Sequence, residues 1–364
     1  MAKVIVGTSG GVDSSVAALL LKQAGHDVTG VTMQIWQDDT PTDAEGSCCG
    51  LSAAYDAGRV ARAIGIPHYV FNFRDVFREK VIDYFADSYL VGETPNPCIA
   101  CNRYVKWEAL LNRSLALGAD CIATGHYARI TKTREGRYAV ASSVTAKKDQ
   151  TYALYNLTQE QLSHTLMPVG EYEKDEIRRI AEEAGLPVAH KPDSQEICFI
   201  PDHDYASFIC SHRKHEDVPG NFVDRSGRIL GMHRGIIHYT VGQRKGLGNT
   251  FGKPMFVLEI RPETNEVVLG ESAETMSDSL VCEDINFMAA AALNGDTEVT
   301  ARIRYNHAGA PAVIRMREDG RILCRFKEPV RAVTPGQAAV FYKDDMILCG
   351  GKIIRTDPER IEGV

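Results

Sequence analysis

The feature that most constrains this chain is the string Ser9-Gly10-Gly11-Val12-Asp13-Ser14-Ser15, which follows a short apolar run at residues 3–8. Apolar residues then recur at helical spacing over residues 14–24, so the sequence predicts a strand, a tight loop and a helix. Adjacent glycines allow a tight turn, and a helix N-terminus presents N–H groups to an anion. We interpret the string as a pyrophosphate cradle in which Asp13 could hold Mg²⁺ against the phosphates. The alternative is a plain glycine turn with Ser14 as a helix cap.

This string differs from two familiar phosphate-binding patterns. No Lys-Ser or Lys-Thr pair follows the glycines, as a Walker loop requires, and the glycine spacing is not that of the dinucleotide fingerprint. The sequence therefore predicts nucleotide binding of another kind.

The first 215 residues predict an α/β domain. Candidate strands at residues 27–33, 68–73 and 120–124 alternate with candidate helices at residues 51–64, 76–90 and 104–117. Such alternation is typical of a doubly wound parallel sheet, whose ligands bind beyond the carboxyl ends of the strands. We therefore expect the loops after Thr8, Met33 and Thr124 to share one pocket.

The rest of the chain predicts β structure. From residue 218 onward, short β-branched runs are separated by Gly, Asn, Asp and Pro, a pattern typical of small β-barrels. We place a catalytic domain at residues 1–215, a central small β domain at 216–275 and a C-terminal β-barrel at 276–364.

Composition excludes several classes of protein. A chain of 364 residues, 44% of them hydrophobic, exceeds what one core usually fills. No segment approaches the ~20 apolar residues of a membrane span, and the N-terminus lacks the pattern of a signal peptide, so we expect a cytoplasmic protein. The net charge of -7 argues against a protein that coats RNA, although residues 301–364 carry more Lys and Arg than Asp and Glu.

The ten cysteines are not expected to form a disulfide framework in a reducing compartment. Cys98 and Cys101 stand one turn apart just before the helix predicted from residue 104, where partial positive charge favours thiolates. Cys198 lies in a polar loop. For the Cys98 and Cys101 pair, a structural zinc half-site or two core thiols remain alternatives. The adjacent pair Cys48 and Cys49 is either redox-active or incidental.

Several motifs, in one order along the chain, together resemble the bacterial tRNA 2-thiouridylases of the N-type ATP pyrophosphatase superfamily. They occupy residues 7–15, 96–102, 123–127, 148–150, 193–200, 239–247 and 302–305. The resemblance covers essentially the whole chain. It implies a doubly wound parallel sheet of the adenine nucleotide alpha hydrolase type, followed by two small β-barrels, the last of them tRNA-binding.

The resemblance also implies a reaction. ATP would adenylate O2 of the wobble uridine (U34), and a persulfide on Cys198 would deliver sulfur. Cys101 would attack the persulfide or form a transient disulfide with Cys198, giving 2-thiouridine. Cys98 stands where many relatives have an aspartate, so an alternative is a [4Fe-4S] cluster held by Cys98, Cys101 and Cys198. Another adenylating enzyme that acts on a small molecule is the remaining alternative.

Site residues follow from the same resemblance, with Asp13, Cys101 and Cys198 as the catalytic set. ATP would lie on Gly7, Thr8, Ser9, Gly10, Gly11, Val12, Asp13, Ser14 and Ser15, with its adenine ring against Met33 and Gly125. The tRNA would meet Asn96, Pro97, Cys98, His126, Lys148, Asp149, Gln150, Arg304, Tyr305 and Gln337.

The residue types assigned to tRNA binding suit that role, and the resemblance also implies binding partners. Chemistry at C2 needs the uridine turned out of its stack, and Asn96, Pro97 and Cys98 would line the hole that receives it. Arg304 and Tyr305 offer a cation and a flat ring for phosphate and unstacked anticodon bases, although strand-surface residues of no special role are the alternative. The expected partners are the tRNA anticodon stem-loop and a sulfur donor, either a cysteine desulfurase or a sulfur relay protein, with no membrane.

Overall fold

The computed structural model describes residues 1–35, 51–193, 197–248 and 251–354. Its Cα positions divide into two compact units. The first unit contains residues 1–82, 97–203 and 345–347, and the second contains residues 83–96, 204–344 and those from 348 onward. The boundaries of the three domains expected from the sequence stay a prediction.

The helices and strands of the described residues are as follows. The α-helices are α1 (Val12–Gln23), α2 (Leu51–Ile64), α3 (Arg74–Phe77), α4 (Tyr84–Leu90), α5 (Pro97–Ala100), α6 (Leu111–Ala116), α7 (Gln159–Ser163), α8 (Lys174–Glu183) and α9 (Tyr205–Arg213). Two π-helical segments occupy Arg78–Asp83 and Cys101–Leu110, and 3₁₀ turns occupy Ala146–Lys148, Thr151–Leu154, Pro168–Glu171, Ile236–His238 and Ser272–Thr275. The strands are β1 (Lys3–Gly7), β2 (Asp27–Gln34), β3 (His68–Asn72), β4 (Cys121–Ala123), β5 (Ala128–Lys132), β6 (Tyr138–Ser142), β7 (Thr165–Leu166), β8 (Gly220–Val223), β9 (Ile229–His233), β10 (Phe256–Arg261), β11 (Glu266–Gly270), β12 (Met276–Phe287), β13 (Thr297–Arg302), β14 (Ala310–Met316), β15 (Ile322–Arg331), β16 (Ala338–Lys343) and β17 (Met346–Ile353).

A five-stranded sheet forms the centre of the first unit, in the order β3-β2-β1-β4-β7. Every pairing in it is parallel, with β1 between β2 and β4. Val6 of β1 and Val16 of α1 are fully buried and share a core with Ile177 of α8. The predicted doubly wound parallel sheet is confirmed. Its strand order reverses direction between β1 and β4, which is where such sheets bind ligands.

The second unit contains two β structures. Strands β12, β15, β14, β13, β16 and β17 follow one another round a barrel that the pairing of β12 with β17 closes. Leu280, Ile314 and Phe341 fill its core. The central segment forms a four-stranded sheet, in the order β10-β11-β8-β9, around the fully buried Phe222. The expectation of β-barrel structure after the sheet domain is confirmed.

One predicted helix begins earlier than expected. The helical run starts at Pro97, continues through the π-helical segment Cys101–Leu110 and ends with α6 at Ala116. The expectation that Cys98 and Cys101 precede a helix starting at residue 104 was therefore wrong, because both lie inside the run. Proline suits the first helical position, since its missing N–H would have no partner there and its φ is already helical. No helix among the described residues is long and apolar enough to cross a membrane.

Candidate functional site

The loop between β1 and α1 has, at one position, a backbone conformation that favours glycine. Gly10 has φ +68°, and a Cβ added there would lie 2.6 Å from the backbone oxygen of Ala53. A side chain would be strained by the dihedral angle and would also collide with α2. Gly11, in extended conformation, is the residue from which α1 begins.

The serine hydroxyls of the loop bond to the loop itself. The Ser9 amide donates to Ser14 Oγ at 3.1 Å, and the two hydroxyls of Ser9 and Ser14 lie 3.2 Å apart. The Ser15 hydroxyl donates to the Gly11 carbonyl at 2.7 Å. No side chain caps α1, so the alternative of Ser14 as a plain helix cap is wrong. The hydroxyls brace the loop where α1 presents its first N–H groups.

The loop after β4 touches the loop after β1. A Cβ added to Gly125 would lie 2.5 Å from the Ser14 backbone nitrogen, so any larger residue would separate the two loops. The structure thus brings together the loops that follow Thr8 and Thr124. Met33, near the end of β2, is buried, and its Cε lies 4.0 Å from the point where a Gly7 Cβ would stand. The chain after Met33 soon enters residues 36–50, which lie outside the described residues and include Cys48 and Cys49.

Val12 of the loop, Thr8 just before the loop and Thr32 near the end of β2 are also buried. Val12 is packed in the core, and Thr8 lies with its hydroxyl 3.3 Å from that of Thr32. Thr32 also donates to the Thr8 carbonyl at 3.0 Å. The carboxyl ends of β1 and β2 are therefore joined by side-chain hydrogen bonds next to the loop.

Asp13 is held by two side chains from distant parts of the chain. The Tyr127 hydroxyl donates to Asp13 Oδ1 at 2.6 Å, and Lys174 Nζ lies 2.7 Å from Oδ1 and 3.0 Å from Oδ2. Burial and the Asp13 charge raise the pKa of Tyr127 far above its ordinary value, so this hydroxyl remains a donor. Both carboxylate oxygens of Asp13 thus have cationic or hydroxyl partners.

Lys174 joins Asp13 to a second carboxylate. Its Nζ lies 2.8 Å from Asp193 Oδ1, while Lys148 Nζ lies 2.8 Å from Asp193 Oδ2. Arg178 NH2 lies 3.2 Å from Asp193 Oδ1. Burial alone would raise the pKa of Asp193, but hydrogen bonds from Lys148 and Lys174 outweigh it, so the pKa falls below its ordinary value. Alternating charges therefore run from the phosphate loop to Lys148.

His126 is a neutral imidazole in this site. Burial lowers its pKa well below the ordinary value, and the charge of Lys106 lowers it further. Its Nδ1 lies 2.8 Å from the Thr124 hydroxyl and its Nε2 lies 3.2 Å from Lys106 Nζ. The ring also packs against Trp107, with centroids 5.5 Å apart. Both ring nitrogens therefore have partners within the protein, and contact of His126 with tRNA stays a prediction.

Asp149 and Gln150 shape the turn that follows Lys148. Asp149 Oδ1 accepts from the Thr151 hydroxyl at 2.5 Å, and its Oδ2 accepts from the Ser143 amide at 3.3 Å. Gln150 Oε1 accepts from the Tyr127 amide at 2.9 Å. Both side chains hold local backbone in this structure, and their contact with tRNA stays a prediction.

The three cysteines of interest differ in exposure. Cys98 is exposed, whereas Cys101 and Cys198 are half-buried. Asn102, directly after Cys101, is buried and donates to the Ala153 carbonyl at 2.9 Å. Within the described ranges, no three His, Cys, Asp or Glu side chains form a group that could hold a metal ion. The cysteines are thus not gathered as cluster ligands, and residues 194–196, part of the Cys198 motif, lie outside the described ranges.

The predicted tRNA residues of the second unit occupy the following places. Arg304 is exposed and donates to the Arg331 carbonyl at 3.0 Å, and Tyr305 is 44% exposed. Gln337 Nε2 donates to the Thr94 carbonyl at 2.8 Å, so it anchors the backbone just before Asn96, which is half-buried. Pro97, in the first unit, is buried.

Sequence reasoning missed Tyr127, Lys174 and Asp193 as neighbours of Asp13. Tyr127 and Asp193 lie inside motifs that the sequence analysis identifies. Tyr127 contacts Asp13 across 114 residues of chain, and Lys174, which joins Asp193 to Asp13, contacts Asp13 across 161 residues. No local spacing signals such contacts. The one available hint was that Lys174 opens a charged amphipathic helix, with Arg178 one turn later on the same face.

Three successive segments of the chain match models of known protein families. Residues 2–202 match the tRNA methyl transferase HUP domain, residues 206–271 the tRNA methyl transferase PRC-barrel domain and residues 277–353 the Aminomethyltransferase beta-barrel domain. The chain is similar to the tRNA-specific 2-thiouridylase MnmA of Lachnoclostridium phytofermentans, with 61% identity over 98% of this chain and 100% of the relative. It is similar to the protein of that name from Clostridioides difficile, with 55% identity over 96% of this chain and 98% of the relative.

Among solved structures, the chain is also similar to a 4-thiouridine synthetase in an RNA complex with bound ATP. The TM-score is 0.32 at 17% identity, over 55% of this chain and 46% of that one. This likeness is too distant to support an argument about function.

Proposed function

This chain belongs to the tRNA-specific 2-thiouridylase family, and from that premise we propose that it replaces O2 of the wobble uridine (U34) of tRNA by sulfur at the expense of ATP. The observation that carries the proposal is the 61% identity to a thiouridylase over nearly the full length of both chains. The phosphate loop supports the proposal, because its backbone at Gly10 leaves no space for a side chain and its serine hydroxyls bond within the loop. The site of action is the cytoplasm.

The first half of the reaction activates the uridine. O2 attacks the α-phosphorus of ATP, a bond between O2 and phosphorus forms, and pyrophosphate leaves. The loop Ser9–Ser15 would bind the phosphates through N–H groups at the start of α1, and Met33 and Gly125 would border the adenine ring. A carbonyl oxygen is a poor leaving group, and adenylation converts it into one that departs as AMP.

The second half delivers sulfur. The terminal sulfur of a persulfide on Cys198 attacks C2, and AMP leaves with O2. Cys101 then attacks the Cys198 sulfur, which releases 2-thiouridine and leaves a disulfide between the two cysteines. Alternatively, Cys101 attacks the persulfide first and liberates hydrosulfide, which attacks C2. In both routes a cellular thiol reductant restores the cysteines, and a cysteine desulfurase or sulfur relay protein reloads Cys198.

Magnesium is proposed to enter with ATP. Carboxylate oxygens are suitable ligands for this cation, but those of Asp13 already bond to Lys174 and Tyr127. Asp13 does not fit as a magnesium ligand while these contacts persist, so no step above depends on it. The [4Fe-4S] alternative would need Cys98, Cys101 and Cys198 to gather as ligands. Anaerobic purification followed by iron and acid-labile sulfide analysis distinguishes it from the persulfide route.

The decisive experiment is reconstitution with an unmodified tRNA transcript, ATP and a persulfide-generating desulfurase. We expect 2-thiouridine at position 34, quantified by nucleoside mass spectrometry, together with AMP and pyrophosphate. Cys101→Ala and Cys198→Ala should each abolish thiolation while tRNA binding persists. The matched control is Cys210→Ala, which removes a half-buried cysteine of α9.

Three outcomes would contradict the proposal. Thiolation that survives in either variant would remove that cysteine from the mechanism. ATP cleavage that responds to a metabolite but not to tRNA would indicate an adenylating enzyme for a small molecule. Methylated rather than thiolated uridine would indicate the activity that names two of the matching domain families.

A further inference from the structure

A single ammonium group holds two carboxylates from distant parts of the first unit. Lys174 Nζ lies 2.7 Å from Asp13 Oδ1 and 2.8 Å from Asp193 Oδ1. The Lys174 side chain is only 12% exposed, so solvent screens these contacts weakly. Without the ammonium, two negative charges would face each other in a partly buried site, and they would repel.

Asp193 is fixed from a second direction. Lys148 and Arg178 both bond to its carboxylate, and Arg178 NH1 reaches the carbonyls of Ala189 and Lys191 at 3.4 and 3.5 Å. Helix α8 is therefore bonded, through Arg178, to the backbone of residues 189 and 191 and to the Asp193 carboxylate. Its anchor is firm, since Ile177 of α8 is fully buried in the core that it shares with α1.

The segment that ends at Asp193 leads to the sulfur-bearing cysteine. Asp193 precedes Cys198 by five residues, a span that cannot exceed about 18 Å even when extended. Phe199, next to Cys198, is buried and packs edge-on against Phe77, with ring centroids 5.7 Å apart. Asp193 is thus held by charge before Cys198 and Phe199 is held by ring packing after it, while residues 194–196 lie outside the described part of the chain.

We propose that Lys174 is a positioning residue, which holds Asp193, five residues before Cys198, to the phosphate loop by bridging Asp193 and Asp13. It fixes the position of the proposed sulfur donor relative to the proposed ATP loop, so that sulfur is presented where the activated uridine forms. The inference rests on the proposed function for the roles of Cys198 and the loop, but the contacts that carry it do not.

The test measures how readily Cys198 is alkylated by iodoacetamide in the full-length chain, with each cysteine followed by peptide mass spectrometry. We expect Lys174→Gln and Asp193→Asn each to speed the labelling of Cys198 at least fivefold. Lys174→Arg keeps the charge and should restore slow labelling. Arg179→Gln, which removes an exposed cation from the same helix, should label as the wild type does. The half-buried Cys121 of β4 reports general loosening of the unit.

The effects of the two substitutions on Cys198 labelling should not add. If Lys174 and Asp193 belong to a single bridge, the double variant Lys174→Gln with Asp193→Asn should label Cys198 no faster than either single variant. In the thiolation assay, Lys174→Gln should lower kcat at least tenfold and change the KM for tRNA less than threefold.

Two results would overturn the inference: Cys198 labelling in Lys174→Gln within twofold of the wild type, or Cys121 accelerated as much as Cys198. The labelling comparison needs no turnover. A wild-type chain that makes no 2-thiouridine would therefore refute the proposed function and still leave the bridge to be judged by labelling alone.

Discussion

The phosphate loop and the predicted tRNA residues of the barrel differ in how tightly the structure constrains them. Around the loop, Gly10 has no room for a side chain, the hydroxyls bond to their own backbone, and Asp13 is held by Tyr127 and Lys174. In the barrel, Arg304 and Tyr305 stand exposed. A constrained region loses function through small changes of shape, whereas an exposed one loses only the contacts of the residue replaced. The four predictions below follow this difference, from the largest effect to the smallest.

The largest effect is expected for Asp13→Asn. The substitution removes the charge that Lys174 and Tyr127 surround and so weakens one end of the bridge to Asp193, and the thiolation rate should fall by about 10²-fold, as when a reacting group is displaced by about 1 Å. Single-turnover formation of 2-thiouridine measures it. Asp75→Asn, at a carboxylate that is 91% exposed, is the control. A rate for Asp13→Asn within threefold of wild type would show that the loop is less dependent on this charge than its contacts suggest.

Gly10→Ala tests the backbone of the loop. The left-handed conformation costs a non-glycine residue about 1–2 kcal/mol, and the collision with Ala53 should add about 1–3 kcal/mol. Gly136→Ala is the matched variant, because Gly136 has φ +82° but nothing within 4 Å of its added Cβ. We expect urea unfolding to show a larger loss for Gly10→Ala, together with weaker ATP binding. Equal losses in the two variants would mean that the loop and α2 separate at little cost.

His126→Gln tests the neutral imidazole beside the loop. The pKa of His126 is lowered in the folded protein, whereas the unfolded chain takes up a proton near pH 6.5. The unfolded state therefore binds more protons below that pH, and this residue makes stability fall as pH drops from about 7, by at most about 1.4 kcal/mol per pH unit. Urea unfolding between pH 5 and 8 should show a shallower dependence in His126→Gln. His190→Gln, at a side chain that is 87% exposed, is the comparison, and equal slopes would contradict a neutral His126 ring.

Arg304→Ala should have the smallest effect. Loss of one phosphate contact should weaken tRNA binding a few-fold and reduce the slope of log affinity against log salt by about 1. Filter binding at several salt concentrations measures both quantities. Arg315→Ala removes an exposed arginine that is already paired with Asp296, and it should leave the slope unchanged. If Arg304→Ala and Arg315→Ala behave alike, the barrel face near Arg304 does not bind phosphate.

The sequence predicts what local chemistry determines. The string from Ser9 to Ser15 predicts its own loop because glycine dihedrals and helix starts depend on neighbouring residues. The parallel sheet also follows from the alternation of apolar runs. By contrast, the bridge from Asp13 through Lys174 to Asp193 joins residues whose separation in the chain exceeds any periodic pattern, and only the folded backbone brings them together.

Three differences show where local interpretation stops. The start of the helix at Pro97 was missed because the Pro- and Asn-rich residues 94–97 resemble a loop, although proline itself is a helix-start signal. The hairpin of β5 and β6 was also missed. Its turn contains Gly136 with positive φ, but the flanking strands are short and partly polar. In the barrel, Gln337 resembles a surface residue in sequence and anchors the Thr94 carbonyl in the structure.

The π-helical segment Cys101–Leu110 bears on how this protein can vary. Such segments carry hydrogen bonds from residue i to i+5, one more than the α-helical spacing, and they are commonly found at functional sites. Deleting one residue between Cys101 and Leu110 would let the backbone hydrogen bonds return to the α-helical spacing. The residues N-terminal to the deletion would then rotate by about 100° around the helix axis. The thiol of Cys101 would then face another direction. A change in the length of this stretch should thus impair the protein even when every side chain in it is kept.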